Sequence, residues 1–228
     1  MKLAALFTGG KDSTYAIYLA KKQSHKISCL ITIQSENLYS YMFHTPAIEL
    51  AVLQAEAMGL PIVFGETKGE KEKELEDLEK AIKKAQEQFE FAGIITGALF
   101  SEYQSSRIQK ICQKLGLEYV SPLWHKEQAE LMEELIENKF ELILTGIAAE
   151  GLDKSWLNKT ITKKEIDQLK ELNKNLGINC AGEGGEFESL VLDCPLFKKK
   201  LVIEDFEISE ENKNTARMII KKAKLVEK

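Results

Sequence analysis

A glycine-rich segment near the start of the chain constrains the fold more than any other feature. It lies between an apolar run, residues 3–7, and a helical pattern, residues 15–20. Its six residues are Thr8, Gly9, Gly10, Lys11, Asp12 and Ser13. A strand, a glycine turn and a helix start in this order present free backbone N–H groups to an anion, and hydroxyl and ammonium groups add donors. The segment therefore predicts a phosphate-binding loop.

The spacing of this loop excludes two common nucleotide-binding motifs. A Walker loop needs Gly-x-x-x-x-Gly-Lys-Ser/Thr, but Asp12 follows Lys11 and the first glycine is missing. The dinucleotide pattern Gly-x-Gly-x-x-Gly is also missing. The segment instead resembles the pyrophosphate-binding loop (PP-loop) of the N-type ATP pyrophosphatases, which cleave ATP between the α and β phosphates. Thr8 replaces the usual first serine and keeps its hydroxyl.

Strand and helix patterns alternate along the first two thirds of the chain. Strands are predicted at residues 3–8, 27–34, 61–66, 91–96, 119–120 and 140–145. Helices are predicted at residues 13–22, 45–58, 71–88, 102–115 and 125–138. This alternation predicts an α/β fold, a Rossmann-like, mostly parallel sheet with helices on both faces. Ligands bind beyond the carboxyl ends of such strands, where Gly97 also lies.

The pattern changes after residue 147. Residues 151–159 are predicted to form a loop, 163–176 a helix and 180–188 a second glycine-rich segment. Strands at 190–193 and 200–207 are expected to pair around Pro195. We therefore predict an ATP-binding α/β domain, residues 1–147, and a smaller C-terminal α+β region for substrate binding, residues 148–228.

Composition excludes several classes of protein. Of the 228 residues, 44% are hydrophobic and 29% charged, which is typical of a soluble globule, and no run is long and apolar enough to span a membrane. The four cysteines form no Cys-x-x-Cys pair and are expected to be buried in a reducing compartment, which favours the cytoplasm. A net charge of -5 argues against direct nucleic-acid binding. The sequence does not indicate the oligomeric state, and a homo-oligomer is compatible with it.

An ordered set of further segments resembles one branch of the PP-loop superfamily, the diphthine–ammonia ligases of archaea and eukaryotes. These segments are residues 41–46, 48–49, 54–59, 97–98, 101–104, 107, 115–117, 122–124, 151–153, 156–157 and 182–189. They extend over nearly the whole chain to about Pro195. The chain departs from the family after Leu157, where Asn158-Lys159 replaces Gly-Arg and loses the bidentate guanidinium.

The resemblance implies a HUP-type fold and a reaction. Diphthine is a modified histidine of elongation factor 2 that carries a carboxylate and a trimethylammonium group. The ligase converts the carboxylate to an amide with ATP and ammonium, through an acyl-adenylate, and releases AMP and pyrophosphate. ATP and Mg2+ are the expected cofactors, and the diphthine form of elongation factor 2 is the expected partner. Without a glutaminase signature, free ammonium is the expected nitrogen source.

Candidate site residues follow from this reaction. The expected catalytic residues are Lys11, Asp12 and Glu186, with Asp12 also binding Mg2+. ATP is expected to contact Thr8, Gly9, Gly10, Lys11, Asp12, Ser13, His44 and Gly97. The expected substrate-binding residues are Tyr103, Arg107, Trp124, Trp156, Glu183 and Glu188, because a quaternary ammonium prefers aromatic faces and negative charge.

Each candidate has a structural alternative. Asp12 could simply stabilise a helix N-terminus through the helix dipole, without binding a metal. Lys11 could be a surface lysine on the turn, and Arg107 could form a surface ion pair. The aromatic residues and His44 are also compatible with a packing role, and the glutamates with a solvated turn. The glutamates' alternatives also include holding Mg2+ and attracting or deprotonating ammonium.

Two rival functions keep the nucleotide-binding loop. The first is another adenylating PP-loop enzyme, one that modifies or thiolates a tRNA base. Many such enzymes use cysteine pairs and a basic RNA surface, and this sequence has neither. The second is a non-enzymatic ATP-binding module, against which the Asp12-Ser13 pair and the second glycine–glutamate segment argue.

Overall fold

The computed structural model describes residues 1–35, 48–69 and 73–228. These residues form two compact units, Met1–Trp124 and His125–Lys228. A five-stranded sheet lies in the first unit and a four-stranded sheet in the second. His44 and the predicted helix start at residues 45–46 lie outside the described residues.

The first unit is a parallel α/β sheet. Its strands are β1 (Lys2–Leu6), β2 (Lys26–Ser35), β3 (Ile62–Thr67), β4 (Gly93–Ile95) and β5 (Glu118–Val120). Its helices are α1 (Lys11–Lys22), α2 (Ile48–Met58), α3 (Lys73–Gln88) and α4 (Glu102–Leu115). The strand order is β3-β2-β1-β4-β5 and every pair is parallel, which confirms the predicted Rossmann-like sheet.

One hydrophobic cluster holds α3 and α4 on this sheet. Val63 and Ile94 come from strands, Ile82 from α3 and Ile108 from α4, and all are buried. Burying such a side chain contributes roughly 1.5–3 kcal/mol before the entropy of ordering it is counted. The strand order reverses beside β1, so the carboxyl ends of β1 and β4 border the crevice where ligands bind in such sheets.

The second unit is built on an antiparallel sheet. Its strands are β6 (Glu141–Ala148), β7 (Phe187–Asp193), β8 (Lys199–Asn212) and β9 (Thr215–Glu227). Its helices are α5 (Gln128–Glu137), α6 (Lys163–Leu176) and a short 3-10 helix over Lys154–Trp156. The strand order is β7-β6-β9-β8.

Strand β6 corrects two sequence-based expectations. It was predicted as the sixth strand of the parallel sheet, but it pairs antiparallel with β7 and β9 in the second unit. The units accordingly divide after Trp124, whereas the predicted division followed residue 147. The continuous buried run of β6 is typical of a parallel strand, so its local pattern favoured the parallel sheet, whereas its pairing depends on partners distant in sequence.

The C-terminal strands also pair differently from the prediction. β7 pairs with β6, and β8 pairs along its length with β9, which was not predicted. Strand β9 was not predicted because its lysines interrupt the apolar alternation that is typical of a strand. On the folded ribbon Lys222 and Lys224 both pair with Glu204 of β8, so the charges are compatible with a strand.

All four cysteines are buried, as predicted: Cys29, Cys112, Cys180 and Cys194. Within the described part of the chain, no helix combines the length and apolarity needed to cross a membrane.

Candidate active site

The predicted phosphate loop connects β1 to α1. Gly9 has a φ of 81°, in the left-handed region that favours glycine. Gly10 is the N-cap of α1 and has an extended backbone, with φ -76° and ψ 171°. Because a glycine cap has no side chain, it cannot cap the first-turn amides of α1, as a serine or aspartate cap does. The positive end of the α1 dipole therefore faces the crevice beyond β1.

Two hydroxyl groups hold this loop together. The Thr8 N–H donates to Ser13 Oγ at 3.3 Å, and the two hydroxyl oxygens are 3.2 Å apart. Ser13 Oγ also donates to the Gly10 carbonyl at 3.3 Å. The structure thus brings both predicted hydroxyl donors to one side of the helix start.

Lys11 and Asp12 form an ion pair at the start of α1. Lys11 is only 3% exposed, and its Nζ lies 2.8 Å from Asp12 Oδ2, so it is not a surface lysine. Asp12 Oδ1 is buried and accepts no hydrogen bond from the described residues. A buried carboxylate oxygen without a donor is costly, and a cation would satisfy it.

The Asp12 carboxylate offers one ligand for Mg2+ next to the predicted phosphate loop. Among the described residues, no group of three or more His, Cys, Asp or Glu side chains is arranged to hold a metal ion. Mg2+ commonly binds one or two carboxylates and completes its shell with phosphate oxygens and water. Asp12 beside a phosphate loop provides this arrangement.

Gly97 lies against the start of α1. A Cβ at Gly97 would stand 2.5 Å from the carbonyl carbon of Asp12 and 2.6 Å from the Ser13 nitrogen. Only glycine allows the segment after β4 to approach this backbone so closely. The structure therefore places Gly97 beside the phosphate loop, where it supports the loop's backbone.

Tyr103 and Arg107 stack on each other along α4. The guanidinium carbon lies 3.5 Å from the centre of the tyrosine ring, and Arg107 Nη1 donates to the Tyr103 carbonyl at 3.4 Å. Arg107 therefore covers one face of the aromatic ring. Trp124, the last residue of the first unit, is half-buried.

In the second unit, Glu186 holds its own loop closed. Glu186 Oε1 accepts the Asn179 N–H at 2.9 Å, and Oε2 accepts the Gly184 N–H at 2.8 Å. Gln128 adds two hydrogen bonds, donating to Asn179 Oδ1 at 3.0 Å and accepting from the Ala181 N–H at 3.1 Å. Sequence reasoning missed Gln128 and Asn179, because neither belongs to a motif with a recognised chemistry.

The two other predicted glutamates flank the Glu186 network. Glu183 and Glu188 are both half-buried. Glu188 lies over Gly146 of β6, where a Cβ would approach Glu188 Oε2 to 3.2 Å. Within the described residues the Glu188 side chain makes no hydrogen bond or ion pair, in contrast to that of Glu186.

Trp156 is 8% exposed, and Lys159 Nζ lies 5.7 Å from the centre of its ring. Lys159 also pairs with Glu165 at 2.8 Å. Burial alone would raise the pKa of Glu165, but hydrogen bonds from Lys159 and Thr162 outweigh it and lower the pKa to about 2.

Asn158 has a φ of 54°, a conformation that favours glycine and tolerates asparagine. The backbone here therefore accommodates the replacement of Gly-Arg by Asn158-Lys159.

One further residue at the phosphate loop had no predicted role. Gln54 of α2 is fully buried, and its Nε2 donates to the Gly9 carbonyl at 3.0 Å. In the sequence, a polar glutamine within a largely apolar helix pattern and its place in the family-like segment 54–59 were the available signals.

Two family models match this chain. Residues 1–119 match the diphthamide synthase N-terminal domain, and residues 127–226 match the diphthamide synthase C-terminal domain. The chain belongs to the diphthamide synthase family. It is 37% identical to the diphthine–ammonia ligase of Rattus norvegicus and 36% identical to that of Mus musculus. Each match covers 91% of this chain and 84% of the relative. The predicted family of ligases is thereby confirmed.

A solved structure from Methanocaldococcus jannaschii, described as a predicted subunit of tRNA methyltransferase, is similar with a TM-score of 0.46 and 18% identity. The likeness covers 86% of this chain and 98% of that one.

Proposed function

We propose that this protein converts diphthine on elongation factor 2 to diphthamide, using ATP and ammonium and releasing AMP and pyrophosphate. A carboxylate is a poor acceptor for ammonia because an oxide would have to leave. Attack of the carboxylate on the α phosphorus gives an acyl-adenylate, from which ammonia displaces AMP. The observation that carries this proposal is a glycine-rich loop beside Asp12, whose buried Oδ1 accepts no hydrogen bond from the described residues, in a chain of the diphthamide synthase family.

In this proposal the phosphate loop binds the leaving pyrophosphate of ATP. Gly9, Gly10 and the start of α1 direct backbone N–H groups to the phosphates, and Thr8 and Ser13 add hydroxyls. Lys11, which pairs with Asp12, supplies positive charge to the phosphates of the nucleotide. Mg2+ bound to Asp12 would neutralise charge on the phosphate oxygens. Gly97 keeps the loop in position, and His44 remains a proposed ATP contact.

Residues proposed to recognise diphthine and ammonium occur in each of the two units. Glu188 is the favoured carboxylate for a cationic group, since both oxygens of Glu186 already accept backbone N–H groups. Trp124, Trp156 and Tyr103 are the proposed aromatic contacts of the trimethylammonium group, and Lys159 lies over Trp156 while Arg107 covers one face of Tyr103. Arg107 suits the diphthine carboxylate or a phosphate. Glu183 stays a further candidate for the trimethylammonium group, and Glu186 for the base.

Neither rival function is better supported. Burial raises the pKa of Cys29 to about 12 and that of Cys112 to about 11, so these thiols are poor nucleophiles for a thiolation reaction. Buried thiols are also compatible with the cytoplasmic location that we propose.

The deciding experiment is an amidation assay with purified protein. Diphthine-bearing elongation factor 2, ATP, Mg2+ and ammonium are mixed, and the factor's mass loss and AMP are measured. AMP formation that requires both the diphthine acceptor and ammonium is the expected result. Reactions without ammonium, or with unmodified factor, are the controls. AMP without amidation would indicate a different acceptor, and ATP binding without AMP would indicate a non-enzymatic module.

A further inference from the structure

The polar side chain of Gln54 lies in an apolar environment, where burial is unfavourable without compensating hydrogen bonds. It is fully buried on α2, among the buried apolar residues Leu50, Ala51, Ala55 and Met58. Burying an amide in such surroundings is unfavourable unless hydrogen bonds compensate. The Nε2 of Gln54 donates to the Gly9 carbonyl at 3.0 Å, inside the phosphate loop.

The fit between Gln54 and Gly9 is close on both sides. Gly9 has a φ of 81°, and a Cβ on Gly9 would clash with Gln54 Oε1. The left-handed backbone of Gly9 therefore favours glycine, and any Cβ at this residue would also displace the glutamine amide packed against it.

The bond to the Gly9 carbonyl also determines where the next N–H points. In a trans peptide the C=O and N–H of one plane point in opposite directions, and none of the described peptides is cis. A Gly9 carbonyl held towards Gln54 consequently directs the Gly10 N–H away from α2. On that side the Gly10 nitrogen lies 3.5 Å from Thr8 Oγ1, too long for a strong hydrogen bond.

We propose that Gln54 is a positioning residue that orients the Gly9–Gly10 peptide, so that the Gly10 N–H donates to a phosphate of the bound nucleotide. The inference rests on the proposed function for the nature of the anion. It adds a residue of α2 to a site otherwise built from the β1–α1 loop and the segment after β4. Gln54 does not touch the ligand and acts through the direction of one peptide.

The test compares Gln54→Met with Thr32→Val. Methionine keeps most of the volume of glutamine but cannot donate to Gly9. Thr32 is the matched control, because it is fully buried and its hydroxyl donates to the Phe7 carbonyl at 2.8 Å, also just before the loop. Both variants lose one buried hydrogen bond to a backbone carbonyl, but only the first one changes the Gly9–Gly10 peptide.

ATP affinity and thermal stability are measured for both variants and wild type by calorimetry. We expect Gln54→Met to bind ATP about tenfold more weakly, since a lost hydrogen bond with one unsatisfied partner has about that effect. Thr32→Val is expected to lose similar thermal stability with unchanged ATP affinity. In the kinetic assay the Gln54 variant raises the KM for ATP more than it lowers kcat. Equal ATP affinities for wild type and Gln54→Met would overturn the inference, as would an equal loss in both variants.

A second variant covers the case in which Gln54→Met does not fold. Gln54→Asn keeps the amide but is one methylene too short to reach Gly9, and the same weakening is expected. A wild-type protein that binds ATP but does not amidate diphthine would reject the proposed function and leave this inference standing. A wild-type protein that binds no ATP would reject both.

Discussion

The two glycine-rich loops of this molecule combine the same groups in opposite ways. In the loop before α1 the helix cap is Gly10, which offers no side chain to the first-turn amides, and one buried oxygen of Asp12 has no hydrogen-bond partner in the described part of the chain. In the loop before β7 the Glu186 carboxylate accepts two N–H groups of its own loop. The first loop therefore leaves polar groups available for a ligand. In the second loop the carboxylate and the backbone N–H groups satisfy each other's hydrogen bonds. Glycines and carboxylates in a sequence do not distinguish the two cases.

The largest expected effect comes from Gly97→Ala. Its Cβ would overlap backbone atoms of Asp12 and Ser13, which cannot move without moving the phosphate loop. We expect the amidation rate to fall by about a hundredfold or more, the scale of an approximately 1 Å misplacement, and this is measured by AMP release. Gly116→Ala is the control, because Gly116 has a φ of 68° but nothing lies near its Cβ. Similar losses of activity in both variants would mean that backbone strain alone, and not the close approach, matters.

Asp12→Asn tests the open oxygen of the first loop. The variant keeps the shape of the side chain but weakens its hold on Mg2+, so ATP affinity measured with Mg2+ should fall by roughly tenfold or more. Without Mg2+ the affinity should stay the same or rise, because a negative charge near the phosphates is removed. Calorimetric titration of ATP with and without the metal makes the comparison. An equal loss in both conditions would contradict the metal role.

Glu186→Gln and Glu188→Gln separate the two roles of carboxylates in the second unit. Glutamine at residue 186 offers one acceptor oxygen to two N–H donors, so we expect a loss of about 1–2 kcal/mol in the free energy of unfolding and unchanged ATP affinity. Glu188→Gln should instead keep the stability and lower the amidation rate. Denaturation and AMP release measure the two quantities. The opposite assignment of the two losses would favour Glu186 as the residue that acts on ammonium.

The smallest expected effect is an acid sensitivity of the second unit. The pKa of Glu165 is lowered from 4.5 to about 2, so its stabilisation is complete above about 4.5 and is lost as pH falls towards 2. At about pH 4 the loss from this group should be about 1 kcal/mol. Denaturant unfolding between neutral pH and pH 3 measures it. Glu165→Gln should remove this part of the slope, and an unchanged slope in the variant would show that other carboxyl groups cause it.

Much of the local structure followed from the sequence. Helices α4 and α6 lie where their patterns predicted them, since apolar periodicity, Ser101 or Thr162 as N-cap and Gly116 or Gly177 after the last turn define both ends. The family resemblance was likewise readable, because its residues stand in a fixed order along the chain.

Other features depended on contacts between distant residues. The partners of β6 and the existence of β9 were not predictable, because strand pairing depends on segments far apart in sequence. The same is true of Gln54, which lies far along the chain from Gly9 and meets it only in the fold.

The sequence by itself determined the glycine-rich turn between β1 and α1, the parallel sheet and the family, because glycine conformation, hydrophobic period and motif order are local properties of the chain. Only the tertiary structure decided which polar groups remain open. It satisfied the oxygens of Glu186, left Asp12 Oδ1 and Glu188 without partners among the described residues, and placed Gln54 behind Gly9. The physical reason is that a hydrogen bond depends on distance and direction between groups, and these are set by packing across the whole unit.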